Sequence, residues 1–148
     1  FSRIMSLKDG MKKMSKSDPS DLSRINLTDE KDEIYNKIKK AKTDTMPMPR
    51  DIKDIDERPE AENLLGIYSS LKNQKLENSI EDFNGKQFSE FKEKLSELLI
   101  EKIEPISKEV KKLLNDEKYL DEILLKGSER ADEIASKKIK KIKKLVGF

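Results

Sequence analysis

Apolar residues recur every three or four positions through most of this chain, and that spacing predicts helices. The longest stripe runs through Phe88, Phe91, Leu95, Leu98, Leu99, Ile103, Ile106, Val110, Leu113 and Leu114. It predicts one helix over about 86–114, kinked at Pro105 rather than broken, because the stripe resumes in phase beyond the proline. Ile34, Ile38 and Ala41 predict a helix over about 28–43, with Thr28 or Asp29 as its N-cap. Leu64, Leu65, Ile67, Tyr68 and Leu71 predict another, opened by Pro59. Residues 72–85 are mixed, with a short turn over 79–83 closed by Asn84-Gly85. Leu120 to Leu125 predict a short helix ended by Gly127. Ser128 then caps a last helix whose inward face holds Ala131, Ile134, Ala135, Ile139, Ile142, Leu145 and Val146. Four or five amphipathic helices with short connections predict a mainly α protein, a helical bundle.

Two stretches escape the helical period. Residues 44–58 carry Pro47 and Pro49 among Asp and Arg residues and predict a solvated loop, expected to be mobile and cut first by proteases. Arg3 to Leu7 reads as a short strand with a buried run, as in the interior of a parallel sheet. Lys8-Asp9-Gly10 turns the chain after it, with Gly10 free to take positive φ. A five-residue strand does not stand alone. The pattern also begins abruptly at Phe1, so an upstream part of the protein is expected.

Composition narrows the chemistry. Charged residues make up 42%, yet 32 basic and 30 acidic side chains leave a net charge of only +2, so no global field draws nucleic acid. Cysteine and histidine are both absent, which excludes disulfides, thiolate or imidazole metal ligands and the commonest general base. No apolar run approaches the roughly 18 residues of a spanning helix, so no membrane role and a cytoplasmic location are expected. Lys137, Lys138, Lys140, Lys141, Lys143 and Lys144 crowd the last helix. They read as a solvated outer face, with contact to nucleic-acid phosphates as the sharper alternative. Asp51, Asp54, Asp56 and Glu57 read as loop solvation rather than a metal site.

The candidate chemistry lies near the start. Lys12-Lys13-Met14-Ser15-Lys16-Ser17-Asp18 places three lysines and two serines within seven residues, between the strand and the first helix. Ammonium groups, hydroxyls and loop amides converging there suit phosphate oxygens.

Residues 13–17 spell KMSKS, the loop signature of class I aminoacyl-tRNA synthetases. Arg3–Leu7 before it, Asp18-Pro19 after it, Ala61–Tyr68 and Gly127–Ala131 resemble tryptophanyl-tRNA synthetases of bacterial or organellar type, in order and at similar spacing. The resemblance covers Arg3 to the C-terminus. It implies residues 1–22 as the last strand and loop of a Rossmann-type catalytic domain, otherwise absent here, and 23–148 as a helical anticodon-binding domain. It implies activation of tryptophan by ATP with Mg2+, release of pyrophosphate, and transfer to tRNA(Trp) by a full-length homodimer; this stretch alone would be inactive. Lys16 would be the main catalytic lysine and Lys13 its support. Ser15 and Ser17 would bind phosphate and adenine edges. Met14 would act through its backbone, and Ile4 would meet adenine through its amide and carbonyl. Two other readings stay open: a tyrosyl-tRNA synthetase, and a non-enzymatic helical interaction module with an accidental motif.

Overall fold

A computed structural model of the chain describes residues 3–147. Phe1, where the expected upstream part would join, lies outside them. The fold is mostly helical, with one two-stranded sheet. Five helices follow the sheet: α1 (Lys31–Lys40), α2 (Pro59–Lys72), α3 (Leu76–Phe83), α4 (Phe88–Leu114) and α5 (Glu117–Val146). Short 3-10 turns sit at Asp21–Ser23 and Lys53–Ile55. The chain divides into two compact units, residues 1–108 and 109–148, and α4 carries the chain across that boundary.

The first unit owns the core. Ile34 and Ile38 from α1, Leu64 and Leu65 from α2, and Phe91 and Leu95 from α4 are almost wholly shielded. Tyr68, Phe83 and Phe91 stack edge-on or tilted, with ring centroids 4.8–5.9 Å apart. Each such pair adds about 0.5–1.5 kcal/mol beyond the area it buries. Pro59 starts α2 as expected, and α4 runs unbroken through Pro105. At that point the proline removes one backbone donor on the exposed side; the apolar stripe is core only as far as Ile103, and Ile106 and Leu114 beyond it are exposed.

Four expectations change. Residues 3–7 do not make an interior parallel strand. β1 (Met5–Ser6) instead pairs antiparallel with β2 (Asp9–Lys13), and the register slips between Met5 and Ser6. Ile4 is exposed, and Leu7 alone in this segment reaches the hydrophobic core. Gly10 is needed for contact, not for positive φ: a Cβ there would lie 2.6 Å from the Pro59 carbonyl carbon and 2.7 Å from the Glu60 nitrogen. Helix α1 begins at Lys31, with Glu30 as N-cap; the Glu30 amide donates to the Glu33 carboxylate at 2.8 Å, while Asp29 turns inward to a different task. Finally, Gly127 does not end a helix. α5 passes through it, and none of the α5 side chains is buried, including Ile134, Ile139, Ile142 and Leu145. One glycine costs a helix only about 1 kcal/mol relative to alanine, too little to stop good helix formers on both sides.

The loop 44–58 is also more constrained than its composition suggests. The Arg58 guanidinium grips Asp44 with two bonds of 2.8 Å, donates to the Pro47 carbonyl at 2.8 Å, and lies over the Phe88 ring. Met48 is buried, and its amide and carbonyl bond Lys86 and Gly85. Asp51 and Asp54 spend their carboxylates on nearby backbone amides.

Candidate functional site

The phosphate-type loop hangs between two fixed stems. Its first stem is β2. Asn63 on α2 accepts from the Met5 amide at 2.8 Å and donates to the Met5 carbonyl at 2.9 Å, so one side chain clamps both backbone groups of β1. The Leu7 amide donates to the Ser23 carbonyl, and the Leu7 carbonyl accepts from Lys42. Glu60 receives the Lys42 ammonium at 2.7 Å, which holds its carboxyl below the usual range against the opposing pull of burial, with the Gly10 amide adding to the effect.

Past Lys13 the chain leaves this framework. The Met14 amide donates to the Ile4 carbonyl at 3.1 Å, and the Met14 side chain packs on the edge of the core. Ser15 and Ser17 share a hydroxyl–hydroxyl bond of 2.9 Å, and the Ser17 amide donates to the Ser15 hydroxyl. Lys12 pairs weakly with Asp9 at 3.5 Å. Lys13 and Lys16 are exposed, and their ammonium groups make no ion pair or hydrogen bond among the described residues. Both lysines line the same cleft, where their ammonium groups are available to an anion.

Ile4, Lys13, Met14, Ser15 and Lys16 line a single open cleft of about 830 Å³. Five of the six site residues expected from the motif therefore share one concavity; Ser17 adjoins it through Ser15. The Ile4 carbonyl is already taken by Met14, which leaves the Ile4 amide for a ligand. The same cleft is lined by residues the motif did not name: Arg3, Arg24, Ile25, Asn26 and Leu27. The spacing Asp21–Arg24 was the available signal, since acid and base three apart on one turn pair readily.

The second stem follows Pro19 and is held by charge. Asp21 and Asp29 each meet the Lys37 ammonium at 2.6 Å. Burial pulls Lys37 down, but the two carboxylate hydrogen bonds outweigh it and raise its pKa above the ordinary lysine value. Hydrogen bonding from Lys37 lowers Asp21 in turn. No group of three or more acidic, His or Cys side chains among the described residues is placed to hold a metal ion. The cleft's ammonium groups and hydroxyls suit phosphate oxygens.

The sequence matches the family description "tRNA synthetases class I (W and Y)" over residues 1–126. The chain belongs to that family. It is 50% identical over 146 residues to the tryptophan–tRNA ligase of Agrobacterium fabrum, covering 99% of this chain and 41% of that protein. The enzyme of the same name from Rickettsia felis is 49% identical, with 99% and 44% covered. The tryptophanyl-tRNA synthetase structure from Mycoplasma pneumoniae superposes with a TM-score of 0.60 at 28% identity, over 72% of this chain and 34% of that one. The chain thus spans well under half the length of the relatives it matches. No helix among the described residues is long and apolar enough to cross a membrane.

Proposed function

We propose that this chain is the C-terminal part of a tryptophan–tRNA ligase, supplying the loop that closes on ATP and a helical domain that binds tRNA. The observation that carries the reading is the pair of unpartnered ammonium groups, Lys13 and Lys16, on one cleft within a KMSKS loop. The names of the relatives favour tryptophan over tyrosine as the amino acid.

In this reading the tryptophan carboxylate attacks the α-phosphorus of ATP, and the bond to the bridging oxygen of pyrophosphate breaks. Negative charge builds on the departing pyrophosphate. Lys16, assisted by Lys13, meets that charge more strongly in the transition state than in bound ATP, and that difference is what raises the rate. Ser15, Ser17 and loop amides orient the phosphates, and the Ile4 amide meets the adenine edge. Mg2+ enters bound to ATP. The nucleophile and its pocket belong to an upstream catalytic domain, so residues 1–22 act as one side of a shared site and residues 23–148 as the tRNA-binding domain. The exposed lysines at the end of α5 offer phosphate contacts for the tRNA.

ATP–pyrophosphate exchange with the enzyme that contains this chain, run across the amino acids, tests the reading. Exchange dependent on tryptophan is the expected result. Exchange with tyrosine assigns the other branch of the family, and exchange with none of the amino acids removes the enzymatic role.

A further inference from the structure

Arg24 lines the same cleft as Lys13 and Lys16, so it invites a role as a third phosphate-binding cation. Its hydrogen bonds argue otherwise. Nη1 donates to the Asp18 carbonyl at 3.0 Å and the Ser20 carbonyl at 3.4 Å; Nε donates to Asn26 Oδ1 at 3.1 Å; and Nη2 pairs with Asp21 at 3.0 Å. A guanidinium has five N–H donors in a fixed fork, and most are spent here inside the protein. What they hold is specific. Asp18 and Ser20 flank Pro19, where the loop ends, and both carbonyls face one planar cation.

The partners are themselves fixed. Asp21 extends the contact to Lys37 at 2.6 Å, and Lys37 to Asp29 at 2.6 Å. Asp29 accepts the Asn26 amide at 2.8 Å and its side-chain nitrogen at 3.0 Å. Arg24 therefore ties the end of the loop to a charged cluster seated on α1. The upstream stem is clamped separately by Asn63. Between the two stems, residues 15–17 bond mainly to one another.

We propose that Arg24 is a positioning residue: it fixes the downstream hinge of the KMSKS loop, so that closure carries Lys16 to one place on the phosphates instead of a spread of places. This rests on the reading of that loop as the ATP lid. A loop with one loose stem still reaches ATP but spends longer in geometries that leave the pyrophosphate charge unmet.

The test is steady-state ATP–pyrophosphate exchange with the enzyme containing this chain. Arg24→Gln should lower kcat by about 10–100-fold while the KM for tryptophan stays within about twofold, since the tryptophan pocket lies elsewhere. Arg24→Lys keeps the charge but not the fork, so it should remain within about threefold of the glutamine variant. A full rate in Arg24→Gln overturns the proposal. So does full rescue by lysine, which would make Arg24 a simple cation of the cleft. Asp21→Asn loosens the same anchor from an exposed position and keeps the question open to test if the Arg24 variants do not fold; it should lower kcat by about 3–10-fold, and an unchanged kcat counts against the anchor. Lys16→Ala is measured alongside. If it loses rate while the Arg24 and Asp21 variants do not, the hinge alone fails; if it too keeps full rate, the lid reading fails with it.

Discussion

Two loops in this chain look alike in sequence and differ in the fold. Residues 44–58 and residues 14–20 are both polar, proline-bearing and rich in charge. The first is locked: Arg58 binds Asp44 and Pro47, Met48 is buried, and its carboxylates bond its own backbone. The second is held mainly at its ends, by Met14 on Ile4 and Arg24 on Asp18 and Ser20, and the ammonium of its one lysine, Lys16, has no partner among the described residues. In the first loop Asp44, Asp51, Asp54 and Arg58 spend their charge on the fold, while the Lys53 ammonium, like that of Lys16 in the second, has no partner among the described residues. What separates the two loops is the anchoring of their backbones, dense in the first and confined to the ends in the second.

The largest effect on the scaffold should come from the stem leading into the free loop. Gly10→Ala drives a Cβ into the Pro59–Glu60 backbone, which has no side chain to swing away, and should cost about 3 kcal/mol or more by chemical denaturation. A cost under about 1 kcal/mol would show that β2 does not depend on that close approach.

Arg58→Ala should come next. It strands a partly buried carboxylate and empties the space over Phe88, for a loss of about 2–3 kcal/mol in melting or urea experiments. If it proves neutral, the contrast between a locked and a free loop disappears.

The lock should also fail in acid. Burial raises Asp44, but hydrogen bonds from Arg58 and the Met46 amide outweigh it and leave its folded pKa lowered. A lowered carboxylate stabilises the fold above its unfolded pKa of about 4, and that stability is lost as pH falls through the folded value. Asp44→Asn should therefore flatten the fall of Tm below about pH 4; an unchanged acid limb would place the sensitivity elsewhere.

Trypsin offers a direct comparison of the loops. Cleavage after Lys13 or Lys16 should precede cleavage after Arg50 or Lys53; the reverse order would make 44–58 the looser segment. The smallest effect belongs to Ser23, whose buried hydroxyl finds no hydrogen-bond partner among the described residues. Ser23→Ala should be neutral or stabilise by roughly 0.5–1 kcal/mol, whereas a clear loss would reveal a hidden partner.

Much of this was legible from periodicity. The helical character, the start of α2 at Pro59, and the passage of α4 through Pro105 follow from apolar spacing and proline placement. The motif named Lys13, Met14, Ser15 and Lys16, which line one cleft, although Lys12 and Lys13 end strand β2 rather than lying in the loop. What escaped is what joins residues far apart in the chain. Asn63 meets Met5 across 58 positions and Arg58 meets Asp44 across 14, and no local pattern announces either pair. The hairpin escaped because Met5 and Ser6 pair with a β2 that carries the motif's own first lysine. The stripe on α5 shows a different limit: periodicity predicts the helix and its apolar side, but not whether anything covers it.

The central claim is that the free loop serves ATP while the locked loop serves the fold. Pairing Lys16→Ala with Arg58→Ala in the enzyme containing this chain, and reading both exchange kcat and Tm, tests it most directly. Lys16→Ala should lower kcat by about 10–1000-fold with Tm unchanged. Arg58→Ala should lower Tm and leave kcat per folded molecule intact. If Lys16→Ala keeps its full rate, or if both variants lose rate and stability together, the division between the two loops is contradicted.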